Sequence, residues 1–290
     1  MVGAMTAPAL RRPSILLLAW RQTARDFRAG ELRLLAVAVM LAVAALTAVG
    51  FFADRLNSGL ARDARQLLGG DAIVGSDKPP AAELLTKAQA LKLKVARNVS
   101  FPSMGRAPDD KGGASRLVAV KAVSGNYPLR GQLQLKASPE APVQTVAAAP
   151  ERGTVWVDAA VLDSLQLKMG DPLLLGDLSL KIARIIVIEP DRGAGFMNFA
   201  PRVMLHEDDL EATGLVQPAS RVNYRLAVAA PEGGEAAVRE FVRWADERIK
   251  TAPLRGVRVE SLESGRPEMQ QTLERAEKFL NLVALLSALL

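Results

Sequence analysis

Residues 34–53 read LLAVAVMLAVAALTAVGFFA. The stretch carries no charge, and its single hydroxyl belongs to Thr47. As an α-helix, twenty residues rise about 30 Å, the thickness of a bilayer's hydrocarbon core. Lipid offers no water to backbone N–H and C=O groups, so a spanning run of this kind has to be helical. The run predicts a transmembrane helix over residues 32–54. A second apolar run, FLNLVALLSALL, closes the chain, and residues 278–290 read as the start of a second span. Residues 55–277 between them have the composition of a water-exposed domain.

Charge orients the first span. Residues 1–33 hold six arginines against Asp26 and Glu31, a net of +4 out of +6 for the whole chain. A basic excess directly before an apolar run places that side in the cytoplasm. Residues 55–277 then lie outside, which in a Gram-negative cell is the periplasm. A cleaved signal peptide is the alternative, but its basic region is short and its apolar core is only about 7–15 residues, ending in small residues. Here the run is longer and ends in Phe51-Phe52. With the excess basic charge so localised and aromatics at 4%, a nucleic-acid surface is not indicated. The chain has no cysteine, which excludes a disulfide framework and any thiolate metal site.

Outward from the span, residues 14–29 form an amphipathic pattern. Leu16, Trp20, Ala24 and Phe27 fall on one stripe, and Arg21, Arg25 and Arg28 on another. An apolar face beside an arginine face suits a helix in the anionic headgroup layer, with Trp20, Arg21, Arg25 and Arg28 at the membrane interface. A solvated helix docked on a neighbouring span is the plainer reading. Gly30 is a hinge into the span. On the far side, Phe52, Leu56, Leu60, Ala64 and Leu67 continue the helical spacing until Gly69-Gly70 ends it, so the span leaves the bilayer as a stalk.

Beyond the stalk the texture changes twice. Residues 71–124 alternate strands with a helix opened by Pro79-Pro80, and residues 102–114 (PSMGRAPDDKGGA) read as a loop. Residues 125–202 are β-rich, with an Ala/Pro stretch at 137–150 that reads as a linker or mobile loop, and Asp158 as the N-cap of a short helix. From residue 203 strands and amphipathic helices return, the last helix starting near Pro267 and running into the terminal apolar segment. The fold class is therefore α+β, with transmembrane helices attached.

Catalytic chemistry is not indicated. His206, in HEDD, is the single histidine and lacks the HExxH spacing of a zinc site. No serine sits in a Gly-x-Ser-x-Gly elbow and no P-loop occurs. Gly193-Ala194-Gly195 lacks the strand and helix of a dinucleotide fingerprint. No residue is assigned as catalytic, cofactor-binding or metal-ligating. One loop stands out: EPDRGAGFMNFAPR at 189–202 sets Phe196, Met197 and Phe199 in a Gly/Pro-rich segment without strand or helix periodicity. Apolar side chains there suit contact with a hydrophobic substrate, a partner or a lipid surface. The plainer reading is a loop that tucks them into its own domain.

Several segments together resemble a known family. They are AWRQTARDFRAGELR at 19–33, LLGGDAIV at 67–74, VKAVSGNYPLRG at 120–131, GDPLLLG at 170–176, EPDRGAGFMNFAPRV at 189–203 and DLEATGLVQPASRVNYRL at 209–226. In order and spacing they are similar to the FtsX-like, MacB-type permeases of ABC transporters, and most of all to the YbbP-like subgroup. The resemblance implies a bacterial inner-membrane permease with its N-terminus in the cytoplasm. It implies a cytoplasmic amphipathic helix over 1–31 and a periplasmic domain over 55–277. That domain would have a porter-like α/β lobe (about 55–124 and 203–277) and an inserted β-rich lobe (about 125–202). It also implies a separate cytoplasmic ABC ATPase, membrane lipids and a second permease copy as partners, a periplasmic partner besides, and export or extraction of a lipid-like or hydrophobic substrate. Such permeases have further spans, so this chain would stop inside the second. A membrane receptor whose domain senses a ligand between two spans has the same layout, and residues beyond 290 separate the two readings. A membrane-tethered enzyme is a third, weaker reading.

Overall fold

Residues 34–53 are helical throughout, as their hydropathy predicts, in a computed structural model that describes residues 15–192, 199–218, 220–251, 256–261, 275, 278, 279 and 282. They lie inside one helix, α2 (Glu31–Leu68). A shorter helix, α1 (Ile15–Ala29), precedes it. Gly30, at φ +98°, makes the break, a backbone angle open to glycine and costly for other residues. At the other end Gly69, at φ +74°, turns its N–H back to the carbonyls of Arg65 and Gln66, both at 3.0 Å. A left-handed glycine just past the last turn satisfies carbonyls the helix leaves open, which is why α2 stops there. The segment Leu32–Leu68 is, among the described residues, the one helix long and apolar enough to cross a membrane. The reading of a helix from Pro267 into a second span falls largely outside the described residues.

The chain divides into two units, residues 1–57 with 268–290, and residues 58–267. In the first, α1 and the body of α2 turn apolar side chains outward: Leu34, Met40 and Phe52 are 75%, 63% and 68% exposed.

The second unit holds the strands. Along it come β1 (Ala72–Ser76), α3 (Ala82–Ala90), β2 (Lys94–Arg106), β3 (Ser115–Val123), β4 (Leu133–Lys136), β5 (Gln144–Val146), β6 (Thr154–Asp158), α4 (Ala159–Leu165), β7 (Pro172–Leu175), β8 (Leu178–Ile188), β9 (Arg202–His206), β10 (Asn223–Ala229), α5 (Glu235–Thr251) and β11 (Arg258–Ser261). The described strands pair into an 11-stranded sheet in the order β11-β1-β10-β2-β3-β9-β6-β8-β4-β5, with β7 bridging β2 and β8. Pairing is antiparallel except between β3 and β9 and between β6 and β8.

Helical spacing decides what covers the sheet. On α5, Val238, Phe241, Val242 and Ala245 recur at i, i+3, i+4 and i+7 and bury against Val74, Leu226 and Val228, with Leu84 and Ala88 of α3 beside them. Full burial of a side chain such as Phe241 contributes roughly 1.5–3 kcal/mol. A second core forms where Val161, Leu162 and Leu165 of α4 meet Val118, Val120 and Ala122 of β3 and the inner residues of β6 to β9. A third gathers Tyr127, Leu133, Leu135, Trp156, Ile186 and Met204 with Val123. Strand β3 is thus sandwiched: residues 118–123 are all buried, the even ones in the second core and Val123 in the third. Side chains alternate along a strand, so Lys121 shares the face of Val123.

Two stretches read as irregular are partly strand. β2 runs on through Pro102 to Arg106, paired with β3. Pro102 lies opposite Ala119, whose N–H bonds Pro201 on the β9 side, and β10 has ended opposite Ser100. The proline's missing N–H therefore costs no ladder bond there. In the Ala/Pro stretch, residues 144–146 add β5 to the edge of β4.

Candidate functional site

The VKAVSGNYPLRG and EPDRGAGFMNFAPRV segments meet in the folded chain around one buried lysine. Lys121 is 3% exposed. Its Nζ lies 2.7 Å from Glu189 Oε1, 2.8 Å from Asp191 Oδ1 and 2.9 Å from the Tyr127 hydroxyl, and 4.5 Å from the centre of the Tyr127 ring. An ammonium has three protons, and these three oxygens take them. The Tyr127 hydroxyl donates its own hydrogen bond to Asp191, and the Arg202 Nε–H donates to the second oxygen of Glu189 at 2.7 Å. Two buried cations and two buried carboxylates balance, which is the condition under which charges survive out of water.

The electrostatics follow from that burial. Desolvation alone would raise the Glu189 carboxyl, but Lys121 and Arg202 outweigh it and hold it down at about 2. Desolvation, and then the charges of Asp191 and Glu189, push the Tyr127 phenol well above its ordinary value, so it stays a proton donor.

This cluster grips both feet of the loop at 189–202. Glu189 and Asp191 stand at its start and Arg202 at its end. Just above them Asp158 accepts both terminal nitrogens of Arg192, at 3.2 and 2.7 Å, and the backbone N–H of Arg202 at 2.8 Å, while Arg192 also reaches the Ala200 carbonyl at 3.3 Å. Asp158 occupies the N-cap position of α4 but makes no capping bond. A bidentate arginine is a stronger partner than a neutral helix N–H, which explains where its carboxylate goes.

The loop so clamped presents Phe199, 84% exposed, and leaves β8 through Val187 and Ile188, exposed at 44% and 49%. The companion residues Phe196 and Met197 lie outside the described residues. In α1, Trp20 is 76% exposed and Arg21, Arg25 and Arg28 are exposed, while Arg33 of α2 stacks 5.4 Å from the Phe27 ring centre.

A second ionic group stands at the end of α2. Arg130 clasps Asp71 through two nitrogens, each at 2.8 Å, and bonds the Ala230 carbonyl at 2.7 Å, while the Ala230 N–H returns to Asp71 at 2.9 Å. Arg65 of α2 pairs with Glu235 at 3.0 Å. Its Nε is buried without a hydrogen-bond partner, 3.9 Å from Asp71. Arg65, Asp71 and Glu235 border a cleft of about 120 Å³ with Val238, Arg239, Val242 and Ser261.

His206 takes a local part: its Nδ1 accepts the Asp208 N–H at 3.2 Å and caps the turn Glu207–Asp209. Among the described residues no three His, Asp or Glu side chains gather as a metal-binding group.

No family model matches the sequence. Over 266 residues the chain is 32% identical to the uncharacterized ABC transporter permease YbbP of Escherichia coli (strain K12), an alignment that takes in 92% of this chain and 31% of that protein. The chain thus spans about a third of the length of the curated relative it matches. Among solved structures it is similar to the periplasmic region of MacB from Actinobacillus actinomycetemcomitans. The TM-score is 0.43 at 9% identity, over 72% of this chain and 95% of that one. A permease-protein domain from Porphyromonas gingivalis gives a TM-score of 0.39 at 11% identity, over 66% and 88%.

Proposed function

As a homologue of the ABC transporter permease YbbP, the chain, we propose, is part of the membrane subunit of an ABC transporter, working with a separate cytoplasmic ATPase. Residues 32–54 cross the inner membrane with the N-terminus in the cytoplasm, and residues 278–290 begin a second span. α1 lies at the membrane surface through Trp20, Arg21, Arg25 and Arg28. Residues 55–277 form the periplasmic domain, an α/β lobe from both ends and an inserted β-rich lobe, and ATP hydrolysis on the partner moves it. A second permease copy completes the transporter. The transported material is lipid-like or hydrophobic, and the loop carrying Phe196, Met197 and Phe199 contacts it or a periplasmic partner.

The observation that carries this reading is the clamped loop. Its feet are held by buried charge, yet it holds out Phe199 at 84% exposure. A large exposed aromatic beside a foot held by buried charge suits a contact surface, because little conformational entropy is lost at that foot on binding. The continuous α2 supplies the connection from span to domain, since a helix passes on displacement that a flexible linker would absorb. The test is affinity purification of the full-length protein from membranes: an ABC ATPase is expected to come with it, and its consistent absence, with the permease intact, contradicts the reading.

A further inference from the structure

The cleft beside the end of α2 takes no part in the proposed function, and the residues that border it all belong to the strand-bearing unit. Two arginines and two valines are among them. Arg65 comes from the last turn of α2, and Arg239 stands on α5 between Val238 and Val242, which are 8% and 9% exposed. One edge of the Arg65 guanidinium is half used. Its Nη2–H donates to Glu235 at 3.0 Å, while its Nε–H is buried with no hydrogen-bond partner. Arg130 shows the same edge filled: its Nε and Nη2 each hold an oxygen of Asp71 at 2.8 Å. Two parallel N–H groups match the two oxygens of one carboxylate. Asp71 does not complete the edge of Arg65. Its oxygens already take Arg130 twice and the Ala230 N–H at 2.9 Å, and it stands 3.9 Å from Arg65 Nε. A buried N–H without an acceptor is costly, so the edge favours a carboxylate that covers both nitrogens.

Charge points the same way. Arg65, Arg130 and Arg239 set three cations against Asp71 and Glu235, and Arg239 has no hydrogen-bond or ionic partner among the described residues. One positive charge is left over, and one bound anion balances it. The Glu235 side chain is 63% exposed, and an exposed ion pair contributes little, so its single bond to Arg65 is readily exchanged.

We propose that this cleft binds a small carboxylate carrying a short branched apolar group. The carboxylate displaces Glu235 and lies edge-on against Nε and Nη2 of Arg65, Arg239 adds its charge, and the apolar group rests on Val238 and Val242. An apolar cavity of about 150 Å³ holds benzene, so the cleft of about 120 Å³ holds roughly five or six non-hydrogen atoms. Isobutyrate has that size. A peptide ending in alanine carries the same carboxylate and methyl group, so a free acid and a peptide C-terminus are the two sources of this chemistry. The site does not depend on the transporter reading.

The test is calorimetric titration of the full chain, in a non-ionic detergent, with isobutyrate. One saturable site per chain is expected, and isobutyramide, the neutral isostere, is expected not to bind. Arg65→Gln and Arg239→Gln should each weaken binding by about tenfold or more, the loss of a charge-assisted contact. Glu235→Gln should tighten it, because the competing carboxylate is gone. Arg152→Gln removes the same charge at an exposed position elsewhere and should change nothing. Melting curves in the same detergent verify that each variant folds; if Arg65→Gln does not, Arg239→Gln and Glu235→Gln decide. N-acetylalanine binding more tightly than isobutyrate assigns the site to a peptide C-terminus, the reverse order assigns it to free acids, and either supports the site. No saturable binding of either probe, equal binding of isobutyramide, or an Arg152→Gln loss as large as that of Arg239→Gln overturns the proposal. Inorganic phosphate that binds as tightly as isobutyrate overturns the choice of a carboxylate.

Discussion

Helix α2 and strand β3 are built on opposite rules. In α2 the apolar side chains are outside, with Leu34, Met40, Leu41 and Phe52 all more than 60% exposed. In β3 a charge is inside, with Lys121 at 3% exposure between residues that are themselves buried. Water would punish both arrangements. The first is stable only where the surroundings are apolar, which is what a bilayer supplies. The second is stable only where every charge meets an opposite one at hydrogen-bond distance, which Glu189, Asp191 and Arg202 supply. Under the proposed topology α2 meets lipid, while Lys121 of β3 meets only protein.

Breaking the buried side of the comparison has the largest expected effect. Lys121→Met leaves Glu189 and Asp191 without their shared cation, and removing one partner of a buried pair costs about 3–5 kcal/mol. Denaturant unfolding of the chain in detergent should show this drop, and a loss under about 1 kcal/mol would mean the pair is solvated. On the exposed side, Leu41→Arg puts a charge at the middle of the proposed span. Its expected cost to membrane insertion is about 2.5–3.5 kcal/mol. A glycosylation-mapping insertion assay that returns the same efficiency for both residues would remove α2 from the bilayer. A third effect is set by pH. Glu189 sits near 2 in the folded chain against an ordinary 4.5, so the unfolded chain takes up that proton first. Its contribution is complete above about 4.5 and drains away as pH falls towards 2. Acid titration of Glu189→Gln should lack that part of the decline.

The sequence carried the helices openly. Hydropathy marks α2, spacing marks α1 and α5, and Gly30 and Gly69 punctuate them because positive φ leaves a visible residue preference. The resemblance to YbbP-like permeases is matched by 32% identity to YbbP over 92% of the chain. The buried charge cluster was not legible. Glu189 and Asp191 are 68 and 70 residues from Lys121, and residue type alone does not distinguish a buried lysine from a solvated one. One signal was present: in LVAVKAV the lysine interrupts a run otherwise apolar on both faces, where a strand that paired on both sides would bury it. Asp158 misled in a different way, since its place before α4 predicts a cap while Arg192, distant in sequence, claims the carboxylate. Pro102 misled through composition, because proline ends a strand only where its N–H would be needed.

The proposed activity is the coupling of a partner's ATP hydrolysis to a domain outside the membrane. Its most direct test is the ATP turnover of the co-purified ATPase in lipid vesicles, measured with and without the full-length permease. A turnover rate that changes when the permease is present is the predicted result, and an identical rate in both preparations would contradict the account.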